Sequence, residues 1–587
     1  MQVAIRWAQA ALFVSLLPLF QPLATAQQAS PFGVSASSSS FKNHAEWFPK
    51  MKEAGISTVR LFPEWNGFES PTGQMNWKNA DTLLQSAKQN HLEINAILMG
   101  SPPGSKASHA FPMENLPEWQ AFVTKAVDRY KADIHYWEVW NEGNGGFNDG
   151  KHTTADYAKL ASATYAAAKK ADPAAKVGLT VASFDAPYLQ QAIAAQAKQG
   201  SANHFDYLCV HPYEIADGVA NLDGEIPYLW MAHTLREILQ KEAPNQSNAE
   251  LWITEVGHRL ENRVGHTITE KDAAKAVVKL YTMAIAQGIA RTQWFEGRDP
   301  EGEDQGFGLL DRSGKPRQSY QALSHLIASL GKSPRYLGWL SLGETGNGYG
   351  FVFQGESSPV LVAWMPKGRT FHFLNFTSDV SILSPLDGQK SSLKAGEKIA
   401  LTDSPLLISG IPEKLLRQAE ANKAQHFPWG GNYADSKTVT CTLGPTDERR
   451  GVFPTNRHQF PTVTFSDNSS GLLLQGDIGH PISFFVHPSF ANIYTREYYV
   501  RVTVRRVSAG NVGMNLLYEV ADSQGKSPYN NVGQWFGVKE DFDWQTHTWH
   551  VKDACFSKVW GNDITIRAEQ SVPFVLGKVE VSTESFK

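Results

Sequence analysis

The feature that most constrains this chain is an eightfold alternation across residues 32–331, in which short β-rich apolar runs are separated by amphipathic stretches long enough for a helix. Such an order feeds a parallel sheet, because each parallel strand needs a crossover before the chain can re-enter the sheet in the same direction. The runs fall at 32–36, 58–62, 93–99, 134–140, 177–181, 207–211, 250–254 and 292–295. Thr153 with Asp156, and Thr269 with Asp272, each precede an Ala-rich stretch and supply an N-terminal hydroxyl cap and a first-turn acid. Eight β/α units over about 300 residues are what a (β/α)8 TIM barrel requires, and no G-x-G-x-x-G turn follows the first run to favour an open doubly wound sheet.

The chain has 587 residues, more than one core usually sustains. Beyond the barrel, expected at 27–331, the texture changes to short β-type runs broken by Gly, Pro, Asn and Asp. A small all-β domain is expected at 332–412, a charged, Ala-rich helical linker at 413–426, and a β-sandwich of jelly-roll type at 427–587. The fold class is therefore α/β with all-β additions. Trp535, Trp544, Trp549 and Trp560 in the last segment read either as sandwich core or as a stacking platform for carbohydrate. On the second reading the sandwich is a separable carbohydrate-binding module that holds polymer and takes no part in bond cleavage.

A net charge of −4 with no long block of Lys and Arg leaves no electrostatic footprint for nucleic acid or an anionic membrane. Residues 1–26 read as a signal peptide: Arg6 gives the n-region charge, 8–20 is mostly apolar, and Ala24-Thr25-Ala26 suits cleavage before Gln27. The apolar run is short and holds Pro18, which argues against a stable membrane anchor, so a secreted or periplasmic protein is expected. With three cysteines in an exported chain, Cys441 and Cys555 are expected to form a disulfide and Cys209 to stay free. Nothing in the sequence sets an oligomeric state.

In a barrel of this kind the chemistry sits where strands end at the C-terminal face. The second run ends near Arg60, the fourth in Trp140-Asn141-Glu142, the sixth in His211-Pro212-Tyr213, the seventh in Thr254-Glu255 and the eighth in Trp294-Phe295-Glu296. Glu142 and Glu255 each follow an almost wholly apolar run, where an ordinary surface glutamate is unexpected. Two such carboxyls are what glycosidic bond cleavage needs, one to protonate the leaving oxygen and one to attack the sugar carbon. Arg60 and Tyr213 are placed to keep Glu255 ionised. Glu138 shares strand parity with Glu142 and is read as a buried partner for Arg60. His211 has no second histidine or cysteine cluster at zinc-ligand spacing, so it is read as a substrate hydrogen-bonder, with no metal and no cofactor expected. The roles of His258 and Glu296 stay open.

These pieces resemble glycoside hydrolase clan A, the retaining barrel glycosidases with catalytic glutamates after strands four and seven. The resemblance covers roughly residues 32–330. It rests on Glu138-Val139-Trp140-Asn141-Glu142, His211-Pro212-Tyr213, Trp252-Ile253-Thr254-Glu255-Val256-Gly257, Trp294, and Gly308-Leu309-Leu310-Asp311. It is most similar to the β-xylosidase and α-L-iduronidase family and related polysaccharide-cleaving enzymes. The resemblance implies Glu142 as general acid/base and Glu255 as nucleophile. It further implies that Asn141 grips the sugar 2-hydroxyl, that Tyr213 touches the nucleophile, and that Trp294 floors the subsite for the cleaved sugar. Where many relatives read Asn-Glu-Pro-Asn, this chain reads Asn141-Glu142-Gly143-Asn144, so a different path is expected for that loop. The alternatives are a glycan-binding barrel without turnover, and a transglycosylase remodelling the cell's own exopolysaccharide.

Overall fold

The computed structural model describes residues 29–587 apart from 38–39, 71, 106–108, 150–151, 202, 222–223, 264–265, 303–304, 344–345, 369–371, 476–478, 492, 522–528 and 532–534. The expected leader at 1–26 lies outside the described residues. Among the described residues no helix is long and apolar enough to cross a membrane.

Eight parallel strands close into a barrel in sequence order: β1 (Phe32–Ser35), β2 (Thr58–Arg60), β3 (Glu93–Leu98), β4 (Tyr136–Val139), β5 (Lys176–Ala182), β6 (Tyr207–His211), β7 (Glu250–Val256) and β8 (Arg291–Phe295). Every run read from the sequence overlaps one of them. Helices on the outside cover both ends of each crossover, and the two expected caps form reciprocal boxes. Thr153 Oγ1 accepts from the Asp156 amide at 3.2 Å while Asp156 accepts from the Thr153 amide at 3.0 Å, and Thr269 and Asp272 repeat the pattern. Each box satisfies two of the amides that a helix start leaves open.

After the barrel, a six-stranded antiparallel sheet begins with Arg335–Leu342, Gly348–Gln354 and Pro359–Trp364. The segment read as a linker is the helix Glu413–Asn422, and it lies flat on the first of these strands. At Gly338 a Cβ would stand 1.8 Å from the Ala419 carbonyl oxygen, so only glycine permits that approach. The rest of the chain is a sandwich of a seven-stranded and a six-stranded antiparallel sheet over a shared apolar core.

The sandwich is docked against the barrel. One continuous core runs from the barrel through Trp339, Tyr349, Phe351 and Trp364 of the middle sheet to Trp429, Phe453, Phe485 and Cys555. Trp230 of the barrel stacks on His426 at 5.8 Å and meets His487 edge-on at 5.3 Å. Buried Glu225 accepts from Lys279 at 3.0 Å and from the Trp364 indole at 3.2 Å. Cutting the chain before residue 427 would strip these faces of their cover, at about 25 cal/mol for each Å² of apolar surface returned to water.

The four tryptophans divide. Trp549 is core, Trp544 is half-buried with its indole donating to Ser469 at 2.9 Å, and Trp535 and Trp560 are exposed.

The expected disulfide is absent, for Cys209, Cys441 and Cys555 are all free and buried. The reason is that the two C-terminal cysteines face different cores. Cys441 points into the sandwich, whereas Cys555 belongs to the core shared with the barrel and donates its thiol to the Ile493 carbonyl at 2.7 Å. Thiol titration in denaturant without reductant is expected to find all three cysteines free, and the native protein to react with almost none. A single titratable thiol would restore the disulfide.

Candidate active site

The site is built around Arg60, which ends β2 and is wholly buried. Its Nε donates to Glu138 at 2.9 Å, its Nη2 to Asn141 Oδ1 at 2.8 Å, and its Nη1 to Glu255 Oε1. One planar guanidinium thus joins β4, the turn before Glu142, and β7, a fork that lysine cannot reproduce. Glu138 is also wholly buried and accepts from Asn95 Nδ2 and, at 2.9 Å, from Thr180 Oγ1. Burial works against the charge on Arg60, yet Glu138 and Glu255 outweigh it and hold its pKa above the usual value.

Glu255 has both oxygens engaged, Oε1 by Arg60 and Oε2 by the Tyr213 hydroxyl at 2.8 Å. Burial first, and then the Glu255 charge, raise the Tyr213 pKa far above its ordinary value, so the phenol stays a donor. Glu142 follows β4 in a left-handed backbone conformation, φ 47°, two residues after Trp140 at φ 64°. Each such non-glycine residue costs roughly 1–2 kcal/mol and persists only where its surroundings over-determine it. Here they do. The Trp140 indole is buried edge-on against Phe111 at 5.3 Å and donates to the Phe147 carbonyl at 2.6 Å. Asn144 ties the turn to β5, accepting from the Ala182 amide at 2.7 Å and donating to Asp185 at 2.8 Å. A Cβ on Gly143 would meet the Phe111 ring at 2.8 Å, which accounts for glycine at that position.

His211 bridges the two glutamates. Its Nδ1 lies 2.9 Å from Glu142 Oε1 and 3.9 Å from Glu255 Oε2, while Nε2 lies 3.1 Å from Thr254 Oγ1. One carboxylate oxygen of each glutamate and a nitrogen of His211 fall within 4.8 Å of one another. Burial pushes the Glu142 pKa up, but the hydrogen bond and charge of His211 pull it down, and the net effect is a lowering. The side chains of Glu142 and Glu255 remain 20% and 12% exposed, enough to be reached from the cleft above.

That cleft encloses about 570 Å³ and is lined by Arg60, Asn141, Glu142, Tyr213 and Glu255, together with groups from the β1, β2 and β3 ends. The expected floor residue, Trp294, is not among them. It is wholly buried, its indole donates to the Phe307 carbonyl at 3.0 Å, and Phe295 lines the cleft instead. The register of β8 on β1 is unbroken from Thr292 to Phe295, so adjacent residues alternate sides: Trp294 turns away from the cleft and Phe295 turns toward it. His258 lies beside Trp294 and bonds the Ala216 carbonyl at 3.0 Å, and Glu296 accepts from the Ser37 hydroxyl at 2.8 Å. Among the cleft residues, Ser37 and Phe147 carried no sequence signal, because each arrives through a loop, and Phe295 was passed over for its strand-end neighbour Trp294. Glu214, next to Tyr213, was missed as well: it accepts from Ser183 at 3.0 Å, and burial pushes its carboxyl up to about 7.

A parallel eight-stranded barrel with glutamates at the ends of β4 and β7 is the architecture of the clan A glycoside hydrolases. No protein-family profile matches the chain. A stretch of 134 residues, 21% of this chain, is 29% identical to endo-1,4-beta-xylanase 3 of Hypocrea jecorina and spans 38% of that enzyme's length. Among solved structures, a monomeric β-xylosidase from Caulobacter crescentus CB15 is similar over 66% of this chain and 98% of its own, at 16% identity and a TM-score of 0.49. A glucosidase from Croceicoccus marinus is similar over 92% of both chains, at 14% identity and a TM-score of 0.43.

The buried Arg60–Glu138 pair gives a direct test. Glu138→Gln leaves Arg60 with one charged partner fewer in a dry barrel, and is expected to destabilise the protein by roughly 3 kcal/mol. Turnover should fall with it, since Arg60 then holds Glu255 less firmly. Thermal unfolding and steady-state kinetics measure the two effects, and an unchanged unfolding temperature would contradict the pairing.

Proposed function

We propose that the protein is an exported retaining glycoside hydrolase that cleaves O-glycosidic bonds of a polysaccharide or oligosaccharide by double displacement. The observation that carries the reading is the approach of a Glu142 oxygen to a Glu255 oxygen within 4.8 Å across His211. Retaining enzymes hold their carboxyls about 5–5.5 Å apart, and inverting ones need roughly 6.5–9.5 Å to seat a water.

Glu255, anchored at both oxygens and facing the cleft, attacks the anomeric carbon. Glu142 protonates the departing oxygen, leaving a glycosyl ester on Glu255. The lowered pKa of Glu142 looks wrong for an acid until His211 is counted with it. A bound sugar that drives water from the cleft removes solvation from the charged form and favours the neutral carboxylic acid. In the second step Glu142 takes a proton from water, which attacks the same carbon and frees Glu255. Arg60 occupies Asn141 Oδ1, so the amide nitrogen is left to donate to a sugar hydroxyl. No step calls for a metal or cofactor. The name of the fungal relative puts β-1,4-linked xylan first among candidate substrates, and the leader at 1–26 is read as the export signal. Two carboxyls in contact have no purpose in glycan binding alone, and a transglycosylase would use the same first step with a sugar acceptor.

The test uses a panel of aryl glycosides, then variants on the one that is cleaved. Glu255→Ala should lose turnover for every leaving group. Glu142→Ala should retain the first step on an aryl glycoside, whose phenolate leaves unprotonated, and azide should restore turnover to give a glycosyl azide of retained configuration. If both variants stay within about tenfold of the native rate, some 1.4 kcal/mol of barrier, the two glutamates are structural.

A further inference from the structure

The cleft is lined chiefly by residues after β1 to β4, with Tyr213, Glu255 and Phe295 completing it. On the glycosidase reading the sugar to be attacked fills it, and the portion that leaves extends past Glu142 toward β5 and β6. We propose that Trp560, carried by the C-terminal sandwich, is the aromatic wall for sugar units on that leaving side. This rests on the glycosidase reading and extends it to a residue far outside the barrel.

Single exposed tryptophans are ordinary, so the case is made by how this one is held. Trp560 is 45% exposed and rides on a turn whose backbone is clamped from below. The amides of Ser557 and Lys558 donate to Glu519 Oε2 at 2.6 and 2.7 Å, and the Val559 amide to Oε1 at 2.7 Å. Glu519 is wholly buried at the end of the strand Gly513–Glu519. Lys558 adopts φ 62° and buries its ammonium against Asp563 at 3.1 Å. Buried carboxylates and a left-handed lysine each cost stability unless the surroundings offset them, and here they fix one short turn.

The same turn is fixed against the barrel. Gly561, at φ 74°, closes it through a 2.9 Å bond to the Lys558 carbonyl, and a Cβ there would lie 2.8 Å from the Glu214 carbonyl oxygen. Glu214 immediately follows Tyr213, which grips Glu255, and its carboxyl bonds Ser183 and feels the charge of Glu142. Trp560 therefore stands beside the β5 and β6 ends on the side where the leaving group must pass, rigid on both faces, with its own ring open to solvent. A flat indole so placed suits the C–H face of a pyranose.

Calorimetric titration with xylohexaose, cellohexaose and mannohexaose tests this without turnover, using protein carrying Glu255→Ala with and without Trp560→Ala. The hexaose that binds is expected to bind about tenfold more weakly without the indole, with Trp560→Phe restoring most of the loss. In otherwise native protein, Trp560→Ala should lower kcat/KM for that hexaose to a similar degree, chiefly through KM, and leave a matching aryl monosaccharide glycoside within about twofold. Gly561→Val, which pushes the turn off Glu214, should act in the same direction. Equal hexaose affinity with and without Trp560, no binding of any hexaose, or an equal loss on the aryl glycoside would overturn the proposal. Absence of all turnover by the native protein would instead sink the hydrolase reading, and the binding comparison would still decide the role of Trp560.

Discussion

The structure depends on one buried cation. Arg60 has no water to solvate it, and its stability in the barrel comes from Glu138, Glu255 and Asn141 meeting its fork from β4 and β7. Remove the cation and two carboxylates are left in a dry interior, where each costs several kcal/mol. The barrel interior and Glu255 are therefore held by the same group. That coupling sets the orientation of Glu255 before any substrate arrives, as catalysis by preorganised charge requires.

The C-terminal half extends the same principle outward. The middle sheet and the sandwich share a core with the barrel, so loops from distant sequence reach its mouth at fixed positions. The Glu519 clamp beneath the Trp560 turn is the counterpart of Arg60 beneath the glutamates. In both, a buried polar group with several hydrogen bonds fixes the geometry of something more exposed.

How much of this was legible in the sequence follows from the range of each interaction. The eight strands and the Thr153 and Thr269 caps were legible because strand patterning and capping are set within a few residues. Arg60, Asn141, His211, Tyr213, Glu142 and Glu255 converge in one site because each ends or follows a strand of a barrel, and strand ends meet by topology. Trp294 lies outside the cleft because the two adjacent aromatics that end β8 face opposite sides, and the apolar pattern does not say which of Trp294 and Phe295 points into the cleft. The Cys441–Cys555 pairing failed because shared membership of a segment does not say which core a side chain faces. Ser37 reaches the cleft from the loop after β1 through a contact with Glu296, and Glu214 sits on the helix that follows β6, where no apolar pattern marks a site residue.

The central claim is that Glu142 and Glu255 act together across a gap of the size that retaining enzymes hold. Proton NMR of the first sugar released, recorded before mutarotation, tests it most directly. The account predicts that the anomeric configuration of the product matches that of the substrate. A product of opposite configuration would contradict it, because single displacement calls for carboxyls roughly 6.5–9.5 Å apart.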